Sequence, residues 1–161
     1  MTTFVALDFE TADRGRDSAC AIGMVRVEDD QITQRSHYLI RPPRSTFEFT
    51  DIHGIYWQDV VNEPKFDQLW PLINKTLQGV DFIAAHNAAF DKGVLYACCD
   101  TYNIQRPDYP FLCTVKLARK TWNLHPTRLP NVCAYLNIEL NHHQALSDAE
   151  ACARIVLAAK A

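Results

Sequence analysis

The sequence predicts an α/β fold in which a mixed central sheet, with its first three strands antiparallel, is flanked by helices. Three strand-like segments follow one another near the N-terminus with short connections, which indicates an antiparallel meander. From residue 64 onward, helical periodicity alternates with short apolar runs, which indicates helices packed on a sheet. The length of 161 residues predicts one domain over residues 1–161.

The first strand, residues 4–10, is apolar except for Asp8 and Glu10. Side chains alternate between the two faces of a strand, so these carboxylates point to the same side with Cα atoms about 6.6 Å apart. Both can therefore reach one hard cation, and the strand is predicted to deliver a metal site at the edge of a buried sheet. The competing interpretation is chance, because an Asp-x-Glu pair is common.

Two further strands are predicted over residues 18–28 and 31–41, and the prolines that follow end the second of them. The next segment, residues 45–62, indicates a loop with a short helical turn. Its apolar residues Ile52 and Ile55 could contact a ligand. An equally supported interpretation is a loop that these two isoleucines anchor by packing.

Helices alternate with short strands in the second half of the chain. The predicted elements are a helix over 64–78, a strand over 80–85, a helix over 88–102, a strand over 111–114, and helices over 115–121, 128–137 and 145–159. Asn87 is predicted to be the N-cap of the helix that begins at residue 88. Asp91, in the first turns of that helix, either complements the helix dipole or belongs to a site at the preceding strand end.

Two later features carry charged or titratable groups. Lys116, Arg119 and Lys120 share one predicted helix and either meet a phosphate backbone or form a solvated face. On the last helix, a rotation of about 100° per residue places Asp148 at the border of the apolar stripe, facing the sheet. His143 precedes this helix and could lie over the same point. The neighbouring His142 is its competitor, and spacing to the aspartate is what separates the two.

Composition excludes several classes of protein. The apolar fraction of 48% and the charged fraction of 22% are ordinary for a globular protein. Apolar runs are shorter than the roughly 18–20 residues of a membrane helix, and no signal-peptide pattern is present, so a cytoplasmic location without membrane contact is expected. No CxxC pair occurs, and the cysteines are predicted to be buried thiols rather than disulfides or a zinc site. They are Cys20, Cys98, Cys99, Cys113, Cys133 and Cys152.

Four acidic residues lie on three distant segments that the fold could bring together. They are Asp8, Glu10, Asp91 and Asp148. Carboxylates suit magnesium or manganese, and two such ions about 3.5–4 Å apart can stabilise both oxygens of a phosphodiester displacement. A histidine with a pKa near neutrality can accept the proton of an attacking water. The set is therefore the one that two-metal phosphodiester cleavage requires.

The formal net charge of −3 does not by itself indicate a nucleic-acid partner. If four of the 19 acids are metal ligands, however, 15 acids remain against 16 lysines and arginines. Bound cations would contact phosphate in such a site, so a strongly basic surface is unnecessary.

Three ordered motifs carry a resemblance to a known family. They are Asp8-Phe9-Glu10-Thr11, His86-Asn87-Ala88-Ala89-Phe90-Asp91 and His143-Gln144-Ala145-Leu146-Ser147-Asp148-Ala149. With these motifs the chain resembles the DEDDh exonucleases, the group that contains the proofreading epsilon subunit of bacterial DNA polymerase III. The segment Asp51-Ile52-His53-Gly54-Ile55 is similar to the intermediate loop of that family. The likeness runs from about residue 3 to residue 157.

The resemblance implies a ribonuclease H-like fold and a 3′→5′ exonuclease that releases nucleoside 5′-monophosphates from single-stranded or frayed DNA or RNA. It implies that Asp8, Glu10 and Asp148 hold one divalent metal, and that Asp8 and Asp91 hold a second. The general base would be His143. Contacts to the terminal nucleotide are expected from Phe9, Thr11, Ile52, His53, Asn87 and Phe90, with Ile52 or Ile55 as a wedge against the last bases.

The expected partners are single-stranded DNA or RNA 3′ ends and, by the same likeness, a polymerase or another replication or repair protein. Two alternatives use the same fold. One is an oligoribonuclease-like or small-molecule phosphodiesterase, for which the modest basic surface leaves room. The other is a non-catalytic nucleic-acid-binding module, which loss of a metal ligand would favour and the five intact positions argue against.

Overall fold

The structure, a computed structural model, describes residues 2–161 and forms five strands and seven helices in them. The strands are β1 (Thr3–Thr11), β2 (Ala19–Glu28), β3 (Gln31–Leu39), β4 (Phe82–Ala85) and β5 (Phe111–Cys113). The helices are α1 (Thr50–His53), α2 (Trp57–Val60), α3 (Phe66–Leu77), α4 (Ala88–Thr101), α5 (Thr114–Trp122), α6 (Leu129–Leu136) and α7 (Ala145–Lys160).

The five strands form one mixed sheet in the order β3-β2-β1-β4-β5. β1 pairs antiparallel with β2, and β2 with β3, whereas β4 is parallel to both β1 and β5. The predicted α/β class and mixed sheet are therefore confirmed. Since β1 is the central strand, the residues at its carboxyl end lie where elements from both halves of the chain converge.

Alternation along β1 divides its side chains between two apolar layers. Val5, Leu7 and Phe9 pack with α3 and α4 on one face. Phe4 and Ala6 pack with α7 on the other face. A third cluster joins α5 and α6 to the outer side of α7. By the same alternation, Asp8 and Glu10 belong to the face that α7 covers.

Gly23 of β2 allows α7 to approach the sheet closely. It pairs with Asp8 across the antiparallel ladder. A Cβ atom at residue 23 would lie 2.6 Å from the backbone nitrogen of Leu146 and closer still to the carbonyl group of Ala145. Because a side chain of any size would push the start of α7 outward, the missing Cβ fixes the distance between this helix and the strand pair that carries the acids.

Several boundary predictions need correction. Asn87 occupies the predicted N-cap position of α4, but its side chain makes no capping hydrogen bond, and its φ of 68° places it in the left-handed region. Helix α3 begins at Phe66 rather than at residue 64, with Lys65 in the N-cap position. β3 ends at Leu39, two residues earlier than expected. Asparagine tolerates the left-handed conformation because its short polar side chain can bond locally, and here the turn geometry prevails over capping.

Five of the six cysteines are buried, and Cys113 is half-buried. No helix in residues 2–161 combines the length and apolar character that crossing a membrane requires.

Candidate active site

Three carboxylates converge where β1 and α7 meet. Asp148 lies in the first turn of α7 and is only 4% exposed, which places it against the sheet as the helical periodicity predicted. One ligand oxygen from each of Asp8, Glu10 and Asp148 lies within 4.8 Å of the other two. The two strand residues share a face and the helix closes over it, so the cluster follows from the packing of α7 on β1.

Helix α7 begins with a side-chain cap that fixes the position of its first turn. The Gln144 side chain accepts a hydrogen bond from the Ser147 backbone nitrogen at 2.7 Å. The backbone nitrogen of Asn141 in turn donates to the Ser147 hydroxyl at 2.8 Å. These bonds hold the turn that carries Asp148, which is one residue further along.

Asp91 reaches the site from the opposite layer. It is 2% exposed, and its Oδ1 accepts a hydrogen bond from the Phe9 backbone nitrogen at 3.0 Å. This bond attaches the first turn of α4 to β1, directly between Asp8 and Glu10. Asp91 is thus buried beside the acidic cluster, where its charge acts on Asp8, and its role as a site residue stays a prediction.

The four carboxylates are held close together with little water around them. Burial, followed by the charges of its acidic neighbours, raises the pKa of Asp8 well above its ordinary value. The same causes raise the pKa of Glu10 to about 8. Burial raises the pKa of Asp91 to about 7, although the Phe9 amide opposes this shift. Burial also raises the pKa of Asp148, with His142 opposing. Such shifts are typical of functional sites.

The donor set fits a divalent cation. Oδ2 of Asp8 is buried and has no hydrogen-bond partner in residues 2–161. A buried oxygen of this kind normally costs free energy unless a partner compensates for it. Positive charge between these oxygens would supply that partner and relieve the repulsion that, after burial, contributes to the raised pKa values of Asp8, Glu10 and Asp91. Carboxylate oxygens are the ligands that hard cations such as Mg²⁺ prefer.

Both candidate histidines lie next to Asp148. The ring nitrogen Nδ1 of His142 is 3.4 Å from Oδ1, and the backbone nitrogen of His143 donates to Oδ2 at 3.0 Å. The two imidazole rings stack with centroids 3.7 Å apart. Burial and the neighbouring His142 lower the pKa of His143, which favours the neutral form that a base requires. The selection of His143 as base stays a prediction, since both rings reach the site.

A cleft of about 760 Å³ opens above the carboxylates. All six residues expected to contact the terminal nucleotide line it, as do Asp8, Glu10, His143 and Asp148. Ile52 is 52% exposed and Phe90 is 39% exposed, so both offer apolar surface to a ligand. Phe9 is different, because its side chain is 3% exposed and belongs to the core under the sheet. Its ring therefore offers little surface to a base, and the predicted contact of Phe9 with the terminal nucleotide stays a prediction.

His53 anchors the α1 segment to the end of β1. Its Nε2 bonds the carbonyl oxygen of Thr11 at 2.9 Å, and its Nδ1 accepts from the backbone nitrogen of Ile55 at 3.0 Å. A carbonyl oxygen can only accept, so the proton of the neutral ring lies on Nε2. The loop is thus anchored by a histidine. Of the two isoleucines expected to anchor it by packing, Ile52 is exposed and Ile55 is half-buried.

Some residues of the cleft were not assigned to the site from the sequence. They are Phe49, His86, Val115, Arg119, Pro126, Thr127, Arg128 and Leu129. Arg119 had been singled out only as part of a basic helix, and the structure separates it from Lys116 and Lys120, which do not line the cleft. His86 belongs to the second motif, so its position before Asn87 was the available signal. The others come from the residue before α1, from α5, from the loop before α6 and from the start of α6, and no local pattern reveals that these segments meet.

Comparison with known proteins agrees with this geometry. The RNase T family model, described as exonuclease, matches residues 5–156. DNA polymerase III of the PolC type from Thermotoga petrophila is 31% identical over 159 residues, which cover 96% of this chain and 12% of that protein. Exodeoxyribonuclease 10 of Escherichia coli is 31% identical over 138 residues, which cover 79% of this chain and 55% of that enzyme. The chain therefore spans only part of the length of these relatives.

A solved structure of exonuclease X in complex with 5′ overhanging duplex DNA has the same fold. Its TM-score is 0.78 at 24% identity, and the alignment covers 99% of this chain and 90% of that chain. The architecture is thus the ribonuclease H-like fold of nucleases. With its three motifs, the chain belongs to the RNase T exonuclease family, as a member of the DEDDh-type 3′→5′ exonucleases.

Proposed function

We propose that this domain removes nucleotides one at a time from the 3′ end of a DNA strand and releases nucleoside 5′-monophosphates. The observation that carries the proposal is the group of buried carboxylates at the base of an open cleft, with two histidines beside it. A site for polymer ends needs an open cleft, and hydrolysis of a phosphodiester needs charge stabilisation and a base.

The proposed residue roles are those that the family motifs imply, and the burial and closeness of these side chains support them. Asp8, Glu10 and Asp148 would hold one divalent cation, magnesium or manganese, and Asp8 with Asp91 a second. When bound, such ions supply the positive charge that stabilises the attacking and leaving oxygens. His143 accepts the proton of the attacking water. The hydrogen bond from its backbone nitrogen to Oδ2 of Asp148 holds these two residues next to each other.

Binding of the terminal nucleotide relies on shape and apolar contact. Ile52 and Phe90 present exposed apolar surface, and Thr11 and Asn87 add polar groups along the same cleft. Stacking and backbone contacts tolerate any base sequence, because every base has a flat apolar face. A frayed or mismatched end enters such a cleft at lower cost than a paired end.

DNA is proposed as the polymer because relatives about 31% identical are named DNA polymerase III and exodeoxyribonuclease. The same names support a replication or repair protein, such as a polymerase, as a partner. Residues 1–161 are proposed to act as one exonuclease domain, in agreement with a family match that extends over residues 5–156.

The decisive assay uses DNA and RNA oligonucleotides of one sequence, labelled at either end, with Mg²⁺, Mn²⁺ or EDTA. We expect mononucleotide release from 3′-labelled DNA, a descending ladder from 5′-labelled DNA, slower cleavage of RNA and no product in EDTA. Asp8→Ala is the matched inactive control. Internal cleavage or activity in EDTA would reject the mechanism, and faster cleavage of RNA would reject DNA as the substrate.

A further inference from the structure

One wall of the cleft carries two arginines without a counterion. Arg119 lies on α5, Arg128 directly precedes α6, and both side chains line the cleft and are exposed. In residues 2–161 neither guanidinium forms an ion pair with a carboxylate. Two guanidinium groups without a counterion, in a cleft that also contains buried acids, are expected where an anionic ligand binds in that cleft.

Arg119 is held in place by a chain of hydrogen bonds that runs through His86, the residue after β4. Its Nε donates to the hydroxyl of Thr127 at 2.7 Å. The carbonyl oxygen of Thr127 accepts from Nε2 of His86 at 2.8 Å, and Nδ1 of His86 accepts from the Thr114 hydroxyl at 2.8 Å. Thr114 and Thr127 are both buried. His86, at the end of β4, thereby positions the loop that carries the second arginine.

The terminal amino groups of Arg119 have no hydrogen-bond partner in the described residues, since Nε makes the one side-chain bond. A planar guanidinium with free donors matches two oxygens of a phosphate better than any neutral group. Arg128 adds a second charge on the same wall. Arg119 is thus a donor held in place for an anion of phosphate geometry, with the exposed Arg128 beside it on the same wall of the cleft.

Arg119 and Arg128 line the same cleft as Asp8, Glu10 and Asp148, but in residues 2–161 neither arginine forms an ion pair with these acids. In the proposed function the phosphate that is cut would lie at the carboxylates, so the two guanidinium groups are available to a different phosphate of the strand. The cleft volume of about 760 Å³ lies high in the range of about 300–1,000 Å³ for small-ligand pockets, which leaves room beyond the cation site.

We infer that Arg119 and Arg128 form a second phosphate subsite, which holds an internal phosphodiester of the strand upstream of the scissile linkage. The inference rests on the proposed function and adds to it a preference for polymers over mononucleotide esters. His86 and Thr127 are positioning residues, because they act on the substrate through Arg119 and the loop.

The test places one uncharged methylphosphonate at each of the first three linkages upstream of the scissile bond in a DNA oligonucleotide. With the wild-type protein we expect one position to lower kcat/KM by about 10–100-fold, because a charge-assisted contact is lost. The double variant Arg119→Gln/Arg128→Gln should show the same loss on the unmodified strand and no further loss at that position. Thr127→Val, which keeps the side-chain shape, should lie between the two.

The matched control is Lys116→Gln/Lys120→Gln, which removes the same charge from α5 outside the cleft. It should cleave nearly as the wild type does and keep its methylphosphonate sensitivity. Binding of a fluorescent oligonucleotide in EDTA gives an independent measurement. The arginine variant should reduce the slope of log K against log salt by about 0.7, the value for one phosphate on a single strand. The lysine variant should leave that slope unchanged.

A nitrophenyl ester of thymidine 5′-monophosphate separates the two possible failures, since it has no upstream phosphate. If the wild type cleaves neither ester nor oligonucleotide, the proposed function is wrong. If the wild type cleaves both substrates and the arginine variant loses the same factor in kcat/KM on each, the arginines contact the scissile phosphate and the proposal of a second subsite is wrong. Insensitivity to all three methylphosphonates, or an equal loss in the lysine variant, overturns it as well.

Discussion

Replacing Gly23 by alanine tests whether the close approach of α7 to the sheet sets the catalytic geometry. The added Cβ would lie 2.6 Å from the Leu146 backbone nitrogen, where ordinary contacts begin at 3.4 Å. The first turn of α7 must therefore move by about 0.8 Å or more, since the obstacle is backbone. Asp148 is carried in the same turn and moves with it.

We expect Gly23→Ala to lower kcat by about 10²-fold, because a displacement near 1 Å in a catalytic constellation has effects of that size. Overpacking should lower the free energy of unfolding by about 1–3 kcal/mol. The measurements are kcat and KM on a DNA oligonucleotide, together with thermal unfolding. Gly79→Ala is the control, since its φ of 77° makes alanine unfavourable in open space far from the site.

Two outcomes would refute this reasoning. One is a folded Gly23→Ala protein with wild-type kcat, which would show that α7 accommodates a methyl group without moving the acid. The other is an equal loss of kcat in Gly79→Ala, which would attribute the effect to reduced stability.

Three further predictions concern the acids and histidines. Asp148→Asn should lower kcat by about 10³-fold or more with Tm little changed, since several kcal/mol of charge stabilisation are lost; near-normal activity of the folded variant would remove Asp148 from the metal site. His143→Ala should lower kcat by about 10²–10⁴-fold while Mn²⁺ binding, measured by calorimetry, persists; a larger loss in His142→Ala would transfer the role of base to that residue. The metal-free protein should lose stability as pH rises from about 4 to 8, because Glu10 and Asp91 have raised folded-state pKa values of about 8 and about 7 and the folded state binds more protons in that window. Mg²⁺ should therefore raise Tm more at pH 8 than at pH 5, and an equal rise at both values would contradict the prediction.

The sequence predicted much of the fold because the relevant signals are local. Alternation along β1 put Asp8 and Glu10 on one face, and helical periodicity directed Asp148 toward the sheet. The α/β class and the mixed sheet followed from the order of such segments. Local signals were weaker at turns, since they gave the N-cap position of Asn87 but not its left-handed backbone or the missing side-chain capping bond.

The motifs by themselves determined the family and a candidate set of acids, since their residue types and spacing are unusual in combination. Tertiary packing decided what the residues between them do. The ring of Phe9 is buried in the core. The imidazole of His53 holds a loop against the carbonyl group of Thr11, and a hydrogen bond to Thr127 holds the Arg119 side chain in the cleft. The two hydrogen bonds join residues that are 42 and 8 positions apart in the sequence. At these separations neither periodicity nor propensity carries information. The distance of α7 from the sheet is also decided by tertiary packing. The backbone of Ala145 and Leu146 occupies the space that a Cβ at Gly23 would need.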